Sequence, residues 1–280
     1  MAESTIARDT AEQVAKGNLL FETQQRQARH FRANVALSWG ILLLILLFLF
    51  SGQSFLGIKT IQLDYEFIRS NMAFIGRGIN DTLLVSFLSI ILAMILALLA
   101  ALGRLSTIPP VYALSTFYVS LIRGTPLYLQ IFFFFLALPQ LGIILSGLWA
   151  GVLALGLNYG AYMSEIFRAG LSSVGKGQRE AAMALGMTPG QTMKRIVLPQ
   201  ALRFAIPPIG NDFIAMTKDS ALVAATGFVH EIMWNAVKVG RAQFRSLEAL
   251  IMAAIFYWMM TLILSYLQSK IETRLSKGDR

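Results

Sequence analysis

Cysteine is absent from the 280 residues, so neither a disulfide framework nor a thiolate metal site is available. Only two histidines occur, His30 and His230, far apart in sequence, and they make no metal-ligand cluster. Charge is also scarce: Asp, Glu, Lys and Arg make up 14% of the chain against 56% hydrophobic residues, and the mean hydropathy is +0.61. That is too little polar surface for a soluble globule of this length, so the composition implies an integral membrane protein, which the long apolar runs make all-α. Acidic residues are the scarcer sign, 15 against 24 basic ones, for a net charge of +9. A basic excess can serve nucleic acid, but positively charged cytoplasmic loops produce it too, and the long apolar runs decide for the second. No nucleic-acid partner is expected.

Residues 1–34 are polar and glutamine-rich, with Arg26, Arg29 and Arg32 next to the first apolar run. No short basic region leads straight into an apolar core, so a cytoplasmic tail is expected rather than a cleaved signal peptide. Val35 to Ile58 carries no charge and is long enough for a first crossing. Residues 59–78 hold Lys59, Asp64, Glu66, Arg69 and Arg77 and are expected as an extracytoplasmic loop. Further spans are expected over Thr82 to Gly103, Val111 to Leu138, Leu148 to Ala169, Leu202 to Gly227 and Leu247 to Ile271. Pro139, Gly142 and Gly147 divide the uncharged stretch from Gly124 to Ser164, which is too long for one crossing.

Six crossings put both termini on one side. The N-terminal tail, the Arg104 loop, the hairpin region from Arg168 to Arg203 and the C-terminal end from Lys270 together hold 16 of the 24 basic residues. The opposite side holds six: Lys59, Arg69, Arg77, Lys238, Arg241 and Arg245. The positive-inside rule therefore makes both termini cytoplasmic.

The stretch Glu180 to Pro199 lies between spans and reads as helix, turn, helix. Gly177 is expected as N-cap with Glu180 at N3, and Gly186 as the left-handed C′ residue. Thr188, Pro189 and Gln191 have capping-box spacing, and Pro199 is expected to stop the second helix. The small residues Ala181, Ala182 and Ala184 suit close approach by another protein; a well-capped connector is the plainer alternative. Just upstream, Gly170 to Gly177 nearly matches the phosphate-binding pattern G-x-x-x-x-G-K-[ST], but its last position is Gly177, with no hydroxyl for magnesium, and no β-strand precedes it. Nucleotide is not expected to bind this chain.

Arg123, Glu165, Asp212, Lys218 and Asp219 fall inside expected spans, where a charge costs about 2.5 to 3.5 kcal/mol on insertion scales. They should face protein or a wet cavity. Internal salt bridges are one use of them; a path for a zwitterionic solute, needing partners of both signs, is the other. Asn158 lies at i−7 from Glu165, on the same helix face. Lys218 and Asp219 are about 100° apart on a helix and should not pair with each other. In Arg123-Gly124-Thr125-Pro126, the proline removes an amide donor and the glycine loosens the same turn, so the third span should be kinked or unwound there.

The segment Glu180, Ala181, Ala182, Gly186, Ile196, Leu198, Pro199 matches E-A-A-x-x-x-G-x9-I-x-L-P and resembles the signature of permease subunits of bacterial ABC importers. The R-G-T-P run with Gln130, Asn158 to Gly170, Lys176 to Gln178, and the runs from Gly210 and Lys218 are similar to the polar amino acid branch, the histidine and glutamine import systems. The resemblance implies six transmembrane helices: a MetI-like five-helix permease core within 79–271 plus one extra N-terminal span, 35–58. It also implies a cytoplasmic helix-turn-helix coupling loop, 175–199, and a short cytoplasmic tail, 272–280.

The resemblance further implies a non-enzymatic transport subunit of the bacterial inner membrane, working by alternating access. Its partners would be a pair of ABC ATPase subunits, a second permease subunit and an extracytoplasmic solute-binding protein. Cofactor and metal are expected to be absent from this chain, with Mg-ATP on the ATPase. Glu180, Ala181, Ala182 and Gly186 would meet the ATPase. Glu165 is expected to take the substrate ammonium, with Asn158, Thr125 and Gln130 beside it and Arg123 for the carboxylate or the kink; Lys218 and Asp219 complete the expected path. A permease for another small solute, an ion channel and a membrane hydrolase are the alternatives. The last is poorly served, since Ser164 beside Glu165 is a weak nucleophile candidate.

Overall fold

The computed structural model describes residues 2–55, 58–227 and 229–276. It divides into two compact units, Met1–Asp64 and Tyr65–Arg280. Met1, two residues at 56–57 of the expected first span, and 277–280 of the expected tail lie outside the described residues.

In the first unit, helix α1 runs unbroken over Ala2–Leu49, and its Arg26–Leu49 portion is apolar enough to cross a membrane. No proline occurs before Pro109, so nothing in the polar tail interrupts the helix. It ends nine residues short of the expected Ile58, because Gly52 takes a left-handed φ of +72° and turns the chain. Strand β1 (Ser54–Phe55) then pairs antiparallel with β2 (Ile58–Lys59).

The second unit begins with α2, Tyr65–Gly103. Residues 65–78, expected as loop, are helical: Arg69 and Arg77 sit on exposed positions of an amphipathic extension. Its 39 residues make a rod of about 58 Å, nearly twice the hydrocarbon thickness. Next come α3 (Pro109–Arg123), α4 (Leu127–Gln140) and α5 (Gly147–Ser173), then the short α6 (Lys176–Ala184) and α7 (Pro189–Thr192). The chain closes with α8 (Leu198–Asp219), α9 (Ile232–Ala242) and α10 (Ser246–Ser276).

Among the described residues, three helices are long and apolar enough to span a membrane, and a fourth span results if the bent pair α3 and α4 counts as one. Helix α5 falls short on hydropathy for a physical reason: 16 of its 27 residues are buried in protein. It is the central post, packed by α2, α3, α4 and α8. A Cβ on Gly156 would lie 2.6 Å from Leu92, and one on Gly160 2.8 Å from the Tyr118 hydroxyl, so small residues let α2 and α3 approach closely. The outer stripe of α2, Leu84, Phe87, Ile91, Ile95, Leu99 and Leu102, is apolar and exposed, as a lipid-facing surface requires.

Helix α2 also joins two cores. Its carboxyl-terminal half packs with α5 and α8 around Val85, Ala93, Leu155, Met163 and Met216. Its amino-terminal half packs with α9 and α10 around Phe67, Ile75, Ile232, Ala249 and Met252. Pro199 does not stop its helix as expected. Residues Met193–Val197 form a π-turn, in which the Leu198 amide reaches back to the Met193 carbonyl, and α8 continues from there. The widened turn shifts the hydrogen-bond ladder just ahead of the residue that has no N–H to give it.

Candidate functional site: an ion cluster at a broken helix

The expected kink is a full break. Helices α3 and α4 meet at 109° across Gly124, Thr125 and Pro126. Pro126 cannot donate to the end of α3, and the Gln130 side chain substitutes for it. Its Nε2 lies 2.8 Å from the Ile122 carbonyl, 3.1 Å from the Thr125 carbonyl and 2.8 Å from the Thr125 hydroxyl. Its Oε1 accepts from Asn158 Nδ2 at 3.0 Å, which ties the elbow to α5. Gln130 and Asn158 are both buried. The structure therefore brings three of the expected residues together, as a brace on the elbow's inner side.

Glu165 stands two turns further along α5, half-buried, with three arginines on it. Arg104 Nη1 donates to Oε1, Arg123 Nη1 approaches the same oxygen at 3.4 Å, and Arg168 Nε donates to Oε2 at 2.8 Å. Arg123 also lies 5.2 Å above the Tyr162 ring, a cation–π arrangement that keeps its guanidinium beside α5. Three guanidinium groups on one carboxylate leave two positive charges uncompensated within the cluster. The carboxylate is thus already occupied, and an incoming ammonium would have to exchange with an arginine. An incoming carboxylate would find charge waiting.

Two of these partners escaped the sequence reading. Arg104 counted only as a loop charge that orients the chain, yet it ends α2 close enough to reach Glu165. Arg168, at i+3 from Glu165, was legible from helical spacing alone. Lys218 is exposed and lies apart from these contacts, while Asp219 accepts from the Tyr159 hydroxyl at 2.7 Å. Asp212 has a buried carboxylate oxygen, Oδ2, with no hydrogen-bond partner among the described residues.

The hairpin of α6 and α7 follows α5 directly. Its first cap is Gly175 rather than Gly177, without side-chain capping, so Glu180 lies further into the helix than expected. At the turn, the Met187 amide donates to the Ala182 carbonyl and Gly186 to Met183, with Gly186 at φ +79°. That is a Schellman end, and glycine suits it. The Thr188 capping box forms on both sides, Gln191 N–H to Oγ1 and Thr188 N–H to Oε1. Glu180, Ala181 and Gly186 are exposed, whereas Ala182 is buried within the hairpin. Leu185, 83% exposed, and Met183 add an apolar tip that the sequence reading passed over.

A second buried carboxylate lies in the other core. Glu231 caps α9, accepting from the Trp234 amide at 2.7 Å and from the Tyr257 hydroxyl. It has no solvent exposure. Gly78 of α2 lies against it so closely that a Cβ there would be 2.4 Å from the Ile232 nitrogen.

Residues 93–277 match the family described as binding-protein-dependent transport system inner membrane component. The chain is 40% identical over 219 residues to the arginine transport system permease protein ArtQ of Bacillus subtilis (strain 168), covering 78% of this chain and 100% of that protein. It is 42% identical over 204 residues to the L-cystine transport system permease protein TcyB of the same organism, 71% of this chain and 86% of that one. Among solved structures, that of an amino acid ABC transporter with histidines superposes with a TM-score of 0.70 at 36% identity, over 76% of this chain and 100% of the other. Inward-facing MetNI methionine ABC transporter superposes with a TM-score of 0.61 at 17% identity, a likeness of fold alone.

Proposed function

The chain belongs to the binding-protein-dependent transport system inner membrane components, and from that premise we propose that it is the permease subunit of an ATP-driven importer for polar amino acids. What supports the substrate class is the set of relatives named for arginine and L-cystine transport. The observation that carries the mechanism is the direct covalent succession of an ion cluster on α5 and an exposed, firmly capped hairpin, α6–α7.

In this reading the chain crosses the membrane six times, through α1, α2, the bent pair, α5, α8 and α10, with both termini and the hairpin cytoplasmic. The distribution of lysine and arginine supports that orientation. Two permease subunits enclose the path, a solute-binding protein delivers the solute from outside, and two ATPase subunits holding Mg-ATP grip Glu180, Ala181, Gly186 and the Leu185 tip. A zwitterionic amino acid meets the cluster with its carboxylate on Arg123 or Arg104 and its ammonium on Glu165, exchanging with an arginine already there. Gln130, Thr125 and Asn158 hold the elbow that presents Arg123, and Asp219 and Lys218 line the path further along α8.

Reconstitution of the chain with its ATPase and binding protein in vesicles tests the proposal. Labelled amino acids are expected to accumulate only when ATP and the binding protein are both supplied. Solute flux through the chain without any ATPase would instead favour a channel.

A further inference from the structure

Three helix ends in the described residues close with the same turn. At the end of α4, Ile143 N–H donates to Leu138 and Gly142 N–H to Pro139; at the end of α6, Met187 donates to Ala182 and Gly186 to Met183. At the end of α9, Arg245 donates to Gly240 at 2.8 Å and Phe244 to Arg241 at 3.5 Å. The residue at the third position of each turn must be left-handed, and the φ values are +78°, +79° and +56°. Two of the three are glycine. The third is Phe244, the one non-glycine residue with positive φ among those described.

A bulky side chain in that region is strained where glycine is not. Phe244 recovers nothing by packing, since it is 94% exposed. Strain kept at an exposed aromatic calls for a use outside the folded chain. The turn is also held firmly: a Cβ on Gly240 would lie 3.0 Å from both the Ala249 Cβ and the Ser246 Cα, so α9 and α10 clamp the base of the tip.

The exposed charge near the tip is basic. The acidic residues on either side, Glu231 and Glu248, are buried, while Lys238, Arg241 and Arg245 are exposed. Lys238 is turned back along α9, its ammonium 4.5 Å above the Trp234 ring near the amino-terminal end of that helix. In the orientation proposed above this end is extracytoplasmic, where the positive-inside rule disfavours basic residues. Three of the six basic residues assigned to that face nonetheless fall within these eight positions. An exposed aromatic flanked by exposed arginines has the composition of a protein-binding hot spot. Lipid anchoring asks only for an apolar group and generally uses Trp or Tyr, with no reason to hold a strained backbone.

We propose that the turn at Gln243–Arg245, with Phe244 at its apex and Arg241 beside it, is a docking peg for the solute-binding protein. The complementary surface on that partner is an apolar recess rimmed by carboxylates. This rests on the importer reading and on its orientation.

The test uses the complete complex in vesicles, with ATPase rate measured against the concentration of binding protein. Phe244→Gly is expected to raise the half-maximal concentration about tenfold while retaining the maximal rate, and its thermal midpoint should be no lower than that of the unchanged chain, because the strain is relieved. Arg241→Glu should raise the half-maximal concentration similarly. Unchanged half-maximal concentrations in both variants would overturn the proposal. So would quenching of a Phe244→Trp variant, read against the unchanged chain, by brominated lipid in the absence of binding protein, which assigns the tip to the membrane. An unchanged complex whose ATPase ignores the binding protein altogether would defeat the importer reading itself, and the peg with it.

Discussion

Glu165 and Glu231 are both carboxylates on or beside helices of the second unit, and they are held in opposite ways. Glu165 is half-buried and surrounded by three guanidinium groups in excess of its charge. Glu231 is fully buried, and its partners include the Trp234 and Met233 amides and the Tyr257 and Thr82 hydroxyls. The first arrangement holds more cation than its anion needs, so it can accept another anion and exchange partners. The second has every acceptor aimed at a fixed neutral donor and the amino-terminal end of α9, which stabilises a structure and leaves nothing to exchange. One arrangement leaves charge available for exchange and the other does not.

The contrast breaks if stability and transport respond alike at both places. The largest loss of stability is expected from Gly78→Ala, about 3 kcal/mol, because the new Cβ would press on the backbone of Glu231 and Ile232, which cannot yield as a side chain could. A normal thermal midpoint and normal yield in detergent would refute the fixed-anchor reading. Next comes Glu231→Ala, expected to cost about 2 to 3 kcal/mol through the lost cap and the orphaned Tyr257 hydroxyl. Any transport defect in it should track the loss of folded protein.

Gln130→Leu is intermediate at about 2 kcal/mol, since it strands the Ile122 and Thr125 carbonyls and the Asn158 amide. It should also lower uptake per folded complex, because Arg123 loses its fixed elbow; uptake at the normal rate would remove the brace from the mechanism. The smallest effect on stability is expected from Glu165→Gln, under about 1 kcal/mol as for other partly solvated ion pairs. Its uptake should nevertheless fall about tenfold or more. Wild-type uptake by this variant would show that the cluster is a latch for packing alone.

Much of this was legible before the fold. The helical hairpin is written in local chemistry: Gly186 at a left-handed turn and Thr188 with Gln191 in a capping box involve neighbours within a few residues, so spacing determines them. The break at Pro126 is legible for the same reason. The expectations that failed depended on context beyond the local chain. Pro199 reads as a stop until the π-turn ahead of it is seen, and residues 65–78 read as loop because charge in a sequence does not say which helix face will carry it.

The site was less legible than the fold. Asn158, Gln130 and Thr125 were placed in the path on membrane depth and polarity, and only their mutual hydrogen bonds identify them as a brace. Arg104 lies 61 residues from Glu165, and no periodicity connects such a pair. Phe244 looks in the sequence like one aromatic among many, because a strained φ leaves no mark on composition.

The sequence alone determined the solvent this protein lives in, the order of its apolar runs and the capped hairpin between two of them, since hydropathy and capping act over a turn or two of chain. Tertiary structure decided which charges meet, which polar groups face inward and where a backbone is strained. Those properties arise only when α2, α3 and α5 come within contact distance of one another, and elements far apart along the chain carry no signal of that meeting until they are packed.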